Sequence, residues 1–178
     1  MRRILLTCTL AFTLLPVFGG EGKAPPMDKE KSLLIDYVDP FIGTTNFGTT
    51  NPGAVCPNGM MSVVPFNVMG SADNTYDKDA RWWSTPYEHT NCFFTGYSHV
   101  NLSGVGCPEL GSLLLMPTTG ELNVDYKEYG SKYKDEQASP GYYSNYLTKY
   151  NIKTEVSATP RTGIARFTFP KGEIGRAS

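Results

Sequence analysis

The chain has 178 residues, of which 16 are Lys or Arg and 17 Asp or Glu, for a formal charge of −1. So even a balance lacks the dense basic patch that phosphate neutralisation demands, which excludes nucleic acid as a partner. No Cys-x-x-Cys pair occurs, and His89 and His99 fall on what read as loops at no usual zinc-ligand spacing; both are expected to be hydrogen-bonded loop histidines.

Met1-Arg2-Arg3 precedes an apolar run from Ile4 to Phe18 that Gly19, Gly20 and Glu21 close. This is the layout of a secretory signal peptide, and the run is shorter than the about 20 apolar residues a membrane helix needs. Cys8 lies inside the run rather than after it, so a lipid anchor is not expected. Cleavage after Gly19 removes Arg2 and Arg3 and no acid, shifting the formal charge from −1 to −3. The mature chain is then secreted or periplasmic, with no membrane contact once the signal is gone. Residues 20–32, with Pro25, Pro26 and alternating charges, form a flexible tether, and residues 33–178 form one domain. Cys56, Cys92 and Cys107 allow one disulfide among three pairings.

From Leu33 onward no stretch carries apolar residues at helical spacing over ten positions, so helix is a minor component. Met60–Pro65 and Ser112–Met116 are short apolar runs bounded by Gly and Pro, as in buried strands. Glu121–Tyr126 alternates, with Leu122, Val124 and Tyr126 on one face. Tyr142–Tyr150 is aromatic-rich; Ile152, Thr154 and Val156 alternate with Lys153, Glu155 and Ser157; Ala165, Phe167 and Phe169 alternate with Ile164, Arg166 and Thr168. Pro140-Gly141 and Thr162-Gly163 punctuate these runs as turns. The expected fold is all-β, an antiparallel β-sandwich. Between Gly43 and Cys107 the chain is instead loop-rich and aromatic, and a loop region of this length inside a domain carries function or is disordered; its aromatic content favours function.

Three ordered blocks carry a family resemblance. DYVDPFIGTTNFGTTNPGAVCPNGMMSVVP (36–65), GYSHVNLSGVGCPELGSLLLMP (96–117) and PGYYSNYLTKYNIKTEVSATPRTGIAR (140–166) together resemble the N-terminal part of glycoside hydrolase family 92 proteins. The resemblance implies an N-terminal β-sandwich packed on a C-terminal (α/α)6 barrel, with the active site at their junction. It implies a calcium-dependent exo-α-mannosidase that acts with inversion on mannose-containing glycans and draws its catalytic carboxylates from the barrel. That barrel would lie beyond Ser178, making this chain a fragment that is inactive alone and binds no calcium by itself. Two departures bear on specificity: Thr45, Asn46 and Phe47 stand where family members often place a histidine, and Asn58 replaces an aromatic.

Inverting hydrolysis needs two carboxyl groups about 6.5–9.5 Å apart. Asp73, Asp77, Asp79, Glu88 and Glu109 are available, but none stands in a motif that assigns it a role; they read as solvated loop charges, and no catalytic residue is assigned. Sugar-binding candidates are clearer. Trp82 and Trp83 offer indole faces for the apolar side of a pyranose, as the resemblance implies for a tryptophan of this region, with interior packing the alternative. His99, Asn101, Ser103, Gly104, Gly106 and Cys107 form a glycine-flanked turn that either lines the sugar pocket or holds the domain interface. In the loop Gly43–Gly53, Thr44, Asn46 and Phe47 are candidate sugar contacts, while Asn51-Pro52-Gly53 reads as a turn. A stand-alone carbohydrate-binding sandwich without catalysis is the alternative to the enzyme-part reading.

Overall fold

The structure, a computed structural model, describes residues 33–45, 48–68, 86–101, 110–172 and 175–177. Residues 1–32, over which a signal peptide and a tether are expected, lie outside the described residues. After a single 3-10 turn at Leu34–Tyr37, the strands run β1 (Ala54–Val55), β2 (Ser62–Phe66), β3 (Phe93–Phe94), β4 (Gly96–Asn101), β5 (Leu110–Leu115) and β6 (Pro117–Thr119). A one-turn helix α1 (Tyr126–Tyr129) leads into β7 (Ser131–Ser139), β8 (Tyr142–Leu147), β9 (Ile152–Ala158), β10 (Gly163–Thr168) and β11 (Gly175–Ala177).

Every pairing is antiparallel. One sheet has the order β1-β2-β4-β5, the second β10-β9-β8-β7-β3, and β11 pairs β6. The first two pack face to face through β1 and β2 against β9, which is the expected sandwich. Ala54, Val63, Tyr97 and Met116 from one side meet Phe94, Tyr143, Leu147, Ile152 and Val156 from the other. Burying this apolar surface at roughly 25 cal/mol per Å² is what drives the sheets together. A polar thread crosses the core as well. Thr154 donates its hydroxyl hydrogen to Asn145 Oδ1 at 2.5 Å, so the Tyr97 hydroxyl, also 2.5 Å away, is the donor to Thr154 Oγ1.

The β-branched and aromatic runs form strands where expected, at β2, β5, β8, β9 and β10. Two expectations need correction. Residues 121–126 form no strand: Leu122 and Val124 are exposed, Asn123 Oδ1 takes the Asp125 amide, and Asp125 caps α1 through the Lys127 amide. His99 is not a loop residue but lies within β4. The longest described strand, β7, has a polar sequence, SKYKDEQAS, that periodicity does not flag.

Glycine is required at Gly53, where a Cβ would lie 2.8 Å from the Val63 carbonyl and 2.8 Å from Val64 Cα. The Asn51-Pro52-Gly53 segment thus serves close approach of β1 to β2 as well as turning. Asn58 has φ +58, a left-handed conformation that asparagine tolerates better than an aromatic residue does. Cys56 and Cys92 are both free thiols, so the pairing between them is not formed; Cys107 lies outside the described residues.

Candidate functional site

Trp82, Trp83, Asn46, Phe47, Ser103, Gly104, Gly106 and Cys107 lie outside the described residues, as do Asp73, Asp77, Asp79 and Glu109. The points where their segments join the sandwich are described, and they fall into two groups. β2 and β4 run antiparallel with Phe66 opposite Gly96 and Val63 opposite His99. Segment 69–85 leaves from the Phe66 end, whereas segment 102–109 leaves from the Asn101 end.

At the Phe66 end three pieces of chain converge. Asn67 takes the Pro86 carbonyl with its amide, and its side chain donates to the carbonyls of Glu88 and Asn91 while accepting the Glu88 amide. Residues 86–91 are thereby seated on the end of β2. The His89 amide then donates to the Thr44 carbonyl at 2.9 Å, joining this loop to the Ile42-Gly43-Thr44 turn. Thr44 is 1% exposed, and its hydroxyl donates to the Phe41 carbonyl at 2.7 Å; the side chain closes its own turn. Glu88 is buried rather than solvated, and Oε1 accepts from the Thr90 hydroxyl at 3.1 Å.

Beneath this junction lies Glu136, which the sequence reading did not single out. In β7, Lys134 pairs Tyr146 and Gln137 pairs Ser144, leaving Asp135 and Glu136 opposite Asn145 alone. This is a β-bulge, with Asp135 at φ +52. The extra residue shifts the alternation by one, so that Tyr133 before the bulge and Glu136 and Ala138 after it all turn inward. Glu136 Oε1 accepts from the Tyr87 hydroxyl at 2.8 Å and from the Tyr143 hydroxyl at 2.5 Å. His89 Nδ1 stands 2.9 Å from the Tyr87 oxygen and 3.8 Å from Glu136 Oε2. Burial raises the Glu136 carboxyl above the ordinary range, partly offset by the Tyr143 and Tyr87 hydrogen bonds. Burial likewise raises Tyr87 and Tyr143. The only sequence signal for this cluster was the pair of tyrosines, since an acid inside a polar run reads as surface.

At the Asn101 end His99 Nδ1 contacts the Leu113 carbonyl at 3.2 Å, and the Asn101 amide donates to Ser62 Oγ at 2.8 Å. Val100 has φ +59, which a β-branched residue avoids at a cost of about 1–2 kcal/mol. Asn101 Oδ1 accepts from Ser98, while its buried Nδ2 has no partner among the described residues. The described bases of the glycine-flanked turn and of the Gly43 loop stand at opposite ends of β2 and β4.

Among the described residues no three of His, Cys, Asp or Glu come together; of the inward carboxylates, Glu136 is engaged by tyrosines and Glu88 by Thr90. No described helix is long and apolar enough to cross a membrane.

The sequence model of the glycosyl hydrolase family 92 N-terminal domain matches residues 37–176. A family GH92 α-mannosidase from Bacteroides thetaiotaomicron superposes with a TM-score of 0.64 at 34% identity, covering 76% of this chain and 18% of that one. The GH92 family glycosyl hydrolase ccman5 superposes with a TM-score of 0.65 at 30% identity, over 80% of this chain and 20% of its own. An uncharacterized secreted glycosidase of Arthroderma benhamiae is 30% identical over 149 residues, 77% of this chain and 17% of that protein. The chain thus spans about a fifth of the length of the relatives it matches. A sandwich of this topology, matched over nearly all of its globular part, belongs to the N-terminal domain family of glycosyl hydrolase family 92.

Proposed function

We propose that this domain shapes the substrate site of a secreted, calcium-dependent, inverting exo-α-mannosidase, acting with an (α/α)6 barrel that supplies the catalytic carboxylates and the calcium. The observation that carries the reading is the knot at the Phe66 end, where Asn67, Thr44 and His89 tie the base of the tryptophan-bearing segment to the Gly43 turn. A rigid base under an aromatic loop is what recognition of a sugar face requires. Family membership and the α-mannosidase relatives support the reaction class, and the secreted relative together with the N-terminal apolar run supports export. That Glu136 is engaged by Tyr87 and Tyr143 and Glu88 by Thr90 supports drawing the catalytic pair from the barrel.

The test is to join this chain to the barrel domain of a related α-mannosidase and assay α-mannosides. Hydrolysis with inversion, lost on chelation and restored by calcium, is the expected result. Replacing Trp82 or Trp83 by Ala is expected to lower kcat/KM at least ten-fold for one of the two. A fusion that folds but hydrolyses nothing, beside a parent enzyme that does, defeats the reading; glycan binding by the purified chain in that case would make it a binding module.

A further inference from the structure

The Tyr87 hydroxyl has one hydrogen, which it donates to Glu136 Oε1 at 2.8 Å. The 2.9 Å contact between Tyr87 and His89 must therefore use the hydrogen on His89 Nδ1. That assigns the tautomer: Nδ1 is the donor, pointing at the buried Tyr87–Glu136 pair, and Nε2 keeps its lone pair. The His89 side chain is 47% exposed, and with Nδ1 engaged by Tyr87, Nε2 is the ring nitrogen left to meet a ligand, with no partner among the described residues. Phe41 packs on the ring at 5.0 Å between centroids, tilted by 55°, and the His89 amide is held by Thr44. The imidazole is fixed from the back, from one side and through its backbone.

A rigid, outward hydrogen-bond acceptor beside a half-buried aromatic ring suits a neutral polyhydroxylated ligand. It does not suit an anion, because a lone pair backed by a carboxylate repels negative charge. Nor do the described residues offer a metal set around it, since no three of His, Cys, Asp or Glu come together among them. We infer that His89 is a sugar-contact residue, its Nε2 accepting a hydroxyl hydrogen from the glycan while Tyr87 and Glu136 act behind it as positioning residues. The choice of a glycan as ligand rests on the substrate-shaping reading.

The experiment uses the whole chain labelled with 15N-histidine and titrated with methyl α-mannoside and an α-linked mannobiose. The Nε2 resonance of His89 is expected to move and saturate. His89→Asn keeps an amide near Nδ1 for Tyr87 but removes the outward nitrogen, and is expected to weaken binding at least ten-fold. His89→Gln, whose amide reaches the Nε2 position, is expected to stay within about three-fold of the parent. An unmoved Nε2 resonance, or an Asn variant that binds as the parent does, overturns the inference. The wild-type resonance gives this answer even if a variant fails to fold. A still resonance in the chain, beside a barrel fusion that hydrolyses mannosides, sinks the His89 contact and leaves the substrate-shaping reading standing. A shift beside an inactive fusion does the reverse.

Discussion

Glu136 and Glu155 occupy neighbouring regions of one sheet, yet their surroundings drive their acidities in opposite directions. Glu155, on the outer face of β9, receives a bidentate pair of bonds from Arg166 at 2.7 Å each, with Tyr142 at 3.0 Å. The Arg166 hydrogen bonds lead in lowering it from 4.5 to about 2. Between those values the unfolded chain binds more protons than the folded one, so this group's stabilisation is present above pH 4.5 and lost as pH falls toward 2. Glu155→Gln is expected to flatten the acid limb of a plot of stability against pH. The effect should shrink in high salt, because Arg166 is largely exposed. Glu136 has the contrary sign: its folded value is raised, so stability falls as pH climbs from the ordinary carboxylate range to that value. Glu136→Gln should remove this decline while still accepting from Tyr87 and Tyr143. Glu136→Ala removes the acceptor of two part-buried hydroxyl hydrogen bonds and should cost about 2–3 kcal/mol in urea unfolding. Val100→Gly, relieving the positive φ, should stabilise the chain by about 1 kcal/mol.

Elements differ in how far the amino-acid sequence announces them. β2, β8 and β9 are legible because β-branched and aromatic residues fill both the strand propensity and the inward positions. β7 is not, for two physical reasons: one inward position is a carboxylate satisfied by tyrosines from other parts of the chain, and the bulge breaks the two-residue period that would reveal the face. The false strand at 121–126 shows the converse, since Leu122 and Val124 alternate correctly but find no partner strand to bury them. The bulge itself can be tested. Asp135→Gly accepts φ +52 freely and should be neutral or stabilising by up to about 1 kcal/mol, whereas Asp135→Val should destabilise by about 1–2 kcal/mol. Gly53→Ala should cost about 1–3 kcal/mol, because the obstructing atoms are largely β2 backbone. Thermal unfolding of each variant measures these changes.

For the molecule as a whole, the sandwich was readable from strand rhythm and the family from three ordered blocks, whereas the geometry of the site was not. The knot of Asn67, Thr44 and His89 is made largely by backbone groups, which carry no sequence signature, and Glu136 reaches it only through a bulge. Several apolar side chains stay in water, among them Leu34 at 89% and Val124 at 83% exposure. Surface of this kind favours association, so the isolated chain should self-associate in sedimentation measurements, and Leu34→Ser with Val124→Ser should reduce it. The two loop bases have a further consequence. β2 from Ser62 to Phe66 spans about 13 Å at 3.3 Å per residue, which separates the root of the segment at 69–85 from that at 102–109. Energetic effects at sites this far apart combine additively when no partner is shared. Substitutions at Asn67, which holds Glu88 and Asn91 at one base, and at Ser62, which holds Asn101 at the other, are therefore expected to shift stability independently of each other.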